Sequence, residues 1–212
     1  MKRMSAWCAG FGLAWGVSFA QAVYTQDFTK VDPGPLPDEF LVLDGQFTVK
    51  EDAGNRFVEL PGAPLESYGF LFGPNSPANV EAGARILATK SGRKFPTFGL
   101  GLNGASGYRL QVVPAKDAVE LLRGETVVAS APFAWKSGSW TALRLTLRKV
   151  SDTEYRLEGT AWTAGSEAPK QPTLTFSDPK VQPAGKASVW GMPFSGTPIH
   201  FDDLTVAKLG GS

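Results

Sequence analysis

Six side chains in this 212-residue chain have a type and a setting suited to recognition: Arg85, Asn103, Arg109, Gln111, Trp162 and Trp190. All read as lying on faces turned away from apolar rows. An indole offers a flat apolar face and one N–H, while guanidinium and amide groups offer planar hydrogen bonding. That combination suits a ligand with apolar C–H faces and many hydroxyls, which describes a sugar. Gly99 and Gly101, on the same side as Asn103, leave room for such a ligand or for a crossing loop. A structural role competes with this reading, because tryptophan is commonly largely buried. Trp140 and Trp190 also fit as core or sandwich-edge residues.

Other chemistries find little support. His200 is the single histidine, and no Gly-x-Ser-x-Gly elbow accompanies it, so a serine or cysteine triad is not indicated. One cysteine and one histidine exclude a Cys/His metal cluster. No glycine-rich phosphate loop joins a strand to a helix. Glu158 lies alone on the polar side of its run and reads as solvated strand surface. The 21 basic and 20 acidic residues are interspersed. That balance disfavours nucleic acid or an anionic membrane as partner.

The elements that must position these residues are strands. The 24 glycines and 16 prolines punctuate short runs rich in β-branched and aromatic residues. Strands are expected over 24–28, 40–43, 46–50 and 56–60, with Asp44-Gly45 as a hairpin turn between the second and third. In residues 80–88, Val80, Ala82, Ala84 and Ile86 alternate with Glu81, Gly83 and Arg85, which buries one face. The same period of two recurs over 97–103, 108–113, 141–147 and 155–162. Residues 117–123 also fit a helical turn but are assigned as a strand. In the last run, Ile199 and Phe201 have the opposite parity to Leu204 and Val206. A β-bulge at Asp202-Asp203 would keep both pairs inside. Many strands with turns between them point to an all-β sandwich or barrel.

The N-terminus reads as a signal peptide over residues 1–22. Lys2 and Arg3 precede an uncharged apolar run to Phe19, and Ala20-Gln21-Ala22 supplies small residues for cleavage. The run is too short and too rich in Gly and Ser for a good membrane span. Cys8 follows Ser5-Ala6-Trp7, not a lipobox. The expected product is a single domain over 23–212, secreted or periplasmic, without cysteine and not inserted in a membrane.

Five segments, in order, resemble the concanavalin A-like lectin/glucanase superfamily, especially laminin-G-like domains of secreted bacterial proteins. They are Val80-Glu81-Ala82-Gly83-Ala84-Arg85-Ile86, Phe98-Gly99-Leu100-Gly101-Leu102, Gly107-Tyr108-Arg109-Leu110, Ser139-Trp140-Thr141-Ala142-Leu143-Arg144-Leu145 and Phe201-Asp202-Asp203-Leu204-Thr205-Val206. The resemblance implies a two-sheet antiparallel jelly-roll sandwich with one concave sheet. It further implies that the strand at 108–113 would carry a hydrolase's paired carboxylates, but Arg109, Gln111 and Val113 stand there. Relatives also suggest a structural calcium. Here it would be held by Asp203 with backbone near Asp27 and Gly45, unless Asp202-Asp203 merely marks the bulge.

The reading that unites these features is a non-catalytic carbohydrate-recognition module. It needs no cofactor, with calcium the one candidate, and its partner would be a glycan or polysaccharide. A 3-keto-glycoside hydrolase-like or other glycan-active enzyme is the alternative. A structural or protein-interaction domain without a small ligand is a third reading. One further expectation follows from parity: Arg85, Asn103, Arg109, Gln111 and Trp162 should converge on one groove.

Overall fold

The structure, a computed structural model, describes residues 20–62, 66–180 and 183–210. The charged start and apolar run of the expected signal peptide lie outside these residues. Among the described residues, the chain forms sixteen strands and one 3-10 turn at Pro114–Lys116. In chain order the strands are β1 (Ala20–Gln26), β2 (Gly34–Pro35), β3 (Leu41–Asp44), β4 (Thr48–Asp52), β5 (Asn55–Leu60) and β6 (Tyr68–Ser76). There follow β7 (Val80–Leu87), β8 (Thr97–Leu102), β9 (Tyr108–Val113), β10 (Ala118–Arg123) and β11 (Thr126–Pro132). The last are β12 (Trp140–Ser151), β13 (Glu154–Thr163), β14 (Leu174–Asp178), β15 (Gly185–Met192) and β16 (Ile199–Leu209).

Two antiparallel sheets result, as the sandwich reading expects. The nine-stranded sheet runs β14-β13-β12-β7-β16-β5-β4-β2, with β1 also paired to β16. The seven-stranded sheet runs β11-β10-β9-β8-β15-β6-β3. Period-two alternation is what binds them. Ala82, Ala84 and Ile86 of β7 and Leu143, Leu145 and Leu147 of β12 are buried from one side. Phe98, Leu100 and Leu102 of β8 and Leu110 and Val112 of β9 are buried from the other. Each fully buried large apolar side chain contributes roughly 1.5–3 kcal/mol. Phe47 and Phe70 meet edge to face at 5.0 Å across the core.

The expected bulge in β16 is present. Ile199, Phe201, Leu204 and Val206 are all buried, and the register against β7 slips between Asp202 and Thr205. Asp203 takes a left-handed φ of 48° there, and aspartate tolerates that conformation better than most residues. Residues 118–123 are a strand, paired on both sides.

One expectation is corrected. Asp44-Gly45 does not close a hairpin, because β3 pairs with β6 in one sheet and β4 pairs with β5 in the other. The Asp-Gly pair does turn the chain, with Gly45 at φ 100°, but the turn carries it between sheets. Gly45 sits tight against Tyr68, whose Cδ1 would lie 2.9 Å from an added Cβ. The local turn signal is real; which sheet each arm joins is decided by long-range packing.

Candidate functional site

The outer face of the seven-stranded sheet carries a row of polar and small residues running across the strands. In register, Ser130, Glu120, Gln111, Gly99, Trp190 and Gly69 stand side by side. In the adjacent row, Leu122, Arg109, Gly101, Ser188 and Leu71 do the same. Glycine at 69 and 101 is required by what lies above it, and at 99 by the β9 backbone beside it. An added Cβ at Gly69 would come 2.8 Å from Trp190 Cε3, and one at Gly101 would collide with Ser188 Oγ and lie 3.4 Å from Trp190 Nε1. The indole therefore rests low over the sheet, half-buried. Its Nε1–H donates to Ser188 Oγ at 2.9 Å, which fixes the ring's direction.

Arg109 reaches over Gly101 towards this ring, with its guanidinium carbon 5.1 Å from the Trp190 ring centroid. It is only 9% exposed, and its Nε–H has no hydrogen-bond partner among the described residues. Burial pulls the guanidinium below its usual pKa, against the opposing charge of Glu125. Glu120, 5% exposed, accepts from Lys116 Nζ at 2.7 Å and from Gln111 Nε2 at 3.3 Å. The face thus presents an apolar ring on β15, a buried cationic donor and an amide on β9, and a carboxylate acceptor on β10, with the glycines of β8 between them.

The outer face of the nine-stranded sheet differs, because its buried carboxylate Asp202 and several other charges are already paired. Arg85 lies 3.0 Å from Asp202 Oδ2 and 2.6 Å from Asp203 Oδ2, and its guanidinium carbon sits 5.2 Å from the Trp140 ring centroid. Asn55 Nδ2 donates to Asp202 at 3.1 Å. Burial pushes the Asp202 carboxyl above its ordinary pKa, with the Asn55 hydrogen bond opposing. His200 stacks on Phe57 at 4.2 Å and meets Glu59 at 3.1 Å. Glu158 pairs with Arg156 at 3.3 Å. Trp162 lies under Arg144, at 5.6 Å from ring centroid to guanidinium carbon. A cleft of about 590 Å³ is on this side, lined by residues such as Asp27, Lys30, Asp203 and Thr205. Volume alone does not make it the better site, since its two carboxylates are engaged, Asp27 by Thr29 and Asp203 by Arg85.

The structure brings together Arg109, Gln111 and Trp190. It places Arg85 and Trp162 on the opposite sheet, which corrects the expectation of one shared groove. Parity separates inward from outward but does not say which of two sheets a strand joins. Asn103 also leaves the set. It follows β8 at a φ of 63°, is 6% exposed, and its amide donates to the Ser76, Pro77 and Pro183 carbonyls. It clamps loops. The sequence reading missed Glu120 and Ser188. Glu120 was within reach, standing between the apolar Val119 and Leu121.

The residues do not fit the candidate calcium. Gly45 lies beside Tyr68 and Leu60, away from the cleft shared by Asp27 and Asp203. Asp202 and Asp203 both face Arg85, which already supplies the positive charge. Asp27 Oδ1 is taken by the Thr29 backbone N–H and hydroxyl. Calcium needs six to eight oxygens, and the described residues hold no cluster of three acidic, His or Cys groups.

No protein-family model matches the sequence, and no curated protein does so by sequence. Solved structures do match in fold. A Bacillus subtilis protein of unknown function with a galectin-like fold superposes with a TM-score of 0.59 at 10% identity, covering 92% of this chain and 100% of that one. The carbohydrate-binding module CBM66 from Bacillus subtilis gives 0.53 at 11% identity, covering 80% and 96%. The VIP36 exoplasmic/lumenal domain, in its Ca2+/Man3GlcNAc-bound form, gives 0.55 at 9% identity, covering 84% and 92%. At these identities the likeness establishes a lectin-like β-sandwich fold.

Proposed function

We propose that this chain is an exported, non-catalytic carbohydrate-recognition module that binds glycan across the outer face of its seven-stranded sheet. The observation that carries this is Trp190, laid low over glycine and tied to Ser188, with Arg109, Gln111 and Glu120 on β9 and β10 of the same face. A ring held parallel to a sheet can stack on a pyranose, and the polar groups beside it supply both donors and acceptors for hydroxyls. The lectin-like fold supports the reading, since CBM66 and the mannoside-bound VIP36 domain share it. Among such sandwiches we place the chain beside laminin-G-like domains, on the segments around Arg85, Arg109 and Asp203. Arg109 and Gln111 stand where a related hydrolase would carry its carboxylates, which favours binding over cleavage.

The test is a glycan array on residues 23–212, followed by titration of any hit with Trp190→Ala and Trp162→Ala. A stacked ring contributes on the order of 1 kcal/mol, so Trp190→Ala should weaken binding several-fold while Trp162→Ala leaves it unchanged. The reverse pattern would move the site to the nine-stranded sheet. An empty array, or steady release of reducing ends from a bound glycan, would overturn the proposal.

A further inference from the structure

Among the described residues, the buried carboxylates each have a close partner: Asp202 has Arg85 and Asn55, Asp178 has Tyr108 and Arg123, and Glu120 has Lys116 at 2.7 Å and Gln111. Arg109 is less well met. Its side chain is 10% exposed, and its only ion-pair partner among the described residues is Glu125, at 3.6 Å with a side chain 91% exposed. Glu125 lies in the turn between β10 and β11, at the margin of the Trp190 face. A carboxylate so exposed is solvated and screened, and such a contact contributes little. The guanidinium therefore carries a largely uncompensated charge out of water, with its Nε–H unmet. An arginine offers five donors in a fork that matches a carboxylate in two parallel bonds.

We infer that the Trp190 face takes an acidic saccharide, with a uronate carboxylate docking on Arg109 in place of Glu125. This rests on the carbohydrate-recognition reading and names its ligand class. Glu125 acts as an exchangeable counter-ion: it covers the guanidinium in the empty protein and swings into water when the sugar's carboxylate arrives. Glu120 does not oppose this, because Lys116 neutralises it at 2.7 Å and it stands one strand-row away, beside Gln111. It accepts from a ligand hydroxyl instead. Trp190, across the glycines of β8 from Arg109, takes the ring's C–H face.

The experiment uses residues 23–212 and a panel of oligogalacturonate, oligomannuronate and a glucuronate-containing oligosaccharide, each beside its carboxyl methyl ester. Binding is read by calorimetry and by Trp fluorescence at low and high salt. At least one oligouronate should bind, and its methyl ester should bind about tenfold more weakly, the loss expected for one charge-assisted hydrogen bond. Added salt should weaken the acid form and leave the ester nearly unaffected. Glu125→Gln, which removes the competing carboxylate, should tighten the acid form several-fold. Arg109→Gln should abolish the preference, and Arg109→Lys, which keeps the charge but not the fork, should retain only part of it. A thermal melt of each variant separates lost binding from lost fold.

Equal affinity for acid and ester would overturn the acidic-ligand inference and leave carbohydrate recognition standing. So would acid binding weakened or unmoved by Glu125→Gln, or no binding of any oligouronate when the glycan array gives neutral hits. An empty array together with an empty panel would overturn both.

Discussion

Arg85 and Arg109 show how one residue type takes two roles from its neighbours. Both stand on central strands and both lie within 5.2 Å of a tryptophan ring centroid. Arg85 faces two carboxylates and holds the β16 bulge to β7; Arg109 faces one exposed carboxylate at 3.6 Å and has a buried Nε–H without a partner among the described residues. Nothing in the sequence around either arginine distinguishes them, because the carboxylates of Arg85 lie more than a hundred residues away. His200 follows the same logic, and its neighbours make it a pH-dependent element of stability. Burial beside Phe57 lowers its pKa, with Glu59 opposing. In the unfolded chain the imidazole takes its proton near pH ~6.5; in the folded chain it does so at lower pH. Between those values the unfolded state binds more protons, so His200's contribution is complete above the ordinary value and is lost as pH falls through the folded one. Denaturant midpoints at about pH 7.5 and about pH 5 should therefore fall further for the wild type than for His200→Gln. Equal falls would remove His200 as a source of acid sensitivity.

At the level of elements, alternation found the strands that carry strict period two and missed those that do not. β7, β8, β9 and β12 were legible because each alternates large apolar residues with polar or small ones. β6 was not, since Phe70, Leu71 and Phe72 are all buried, the middle one on the outer face opposite Ser188. β15 was hidden by its small residues, and β11 by ending in a proline, which an edge strand tolerates. The bulge in β16 was legible because one extra residue is the simplest way to turn both halves of an apolar run inward after a parity change. What no local pattern shows is how the two sheets are tied at their ends. Asp178 closes β14 in the nine-stranded sheet, and it accepts from Tyr108 of β9 at 2.7 Å while lying 3.0 Å from Arg123 of β10. It also accepts from the Lys180 backbone at 2.9 Å. Fully buried itself, it joins one sheet to the other. Removing one partner of a buried charged network costs about 3–5 kcal/mol. Asp178→Ala should fall at the lower end, because Arg123 keeps access to water. Denaturant unfolding should show that loss, with Asp178→Asn milder. A change within about 0.5 kcal/mol, typical of surface substitutions, would mean that the tie contributes nothing net.

For the whole molecule, the proposed signal cleavage and the fold meet on one strand. β1 pairs with β16 in two parts: Ala20 to Ala22 opposite Leu209 to Ala207, and Tyr24 to Gln26 opposite Val206 to Leu204, with the register broken between Ala22 and Tyr24. The proposed signal cleavage falls at that break, after Ala22. The N-terminal part is fully surface: Ala20, Gln21, Ala22 and Val23 are exposed. The C-terminal part reaches the core, where Tyr24 packs with its ring 5.8 Å from that of Phe72. Cleavage there discards pairing that buries no apolar side chain and retains the portion that does. The mature protein should therefore begin at Val23, as mass spectrometry of periplasmic or secreted material would read. A chain starting at Val23 should unfold within about 0.5 kcal/mol of one starting at Ala20, as changes limited to exposed residues do. A further cut removing Tyr24 should cost more, since it strips an aromatic side chain from the core edge. If a start at Val23 were itself markedly destabilising, or if exported protein retained Met1, β1 would have to fold as one unit with its leader, and the division at the bulge would carry no meaning for export.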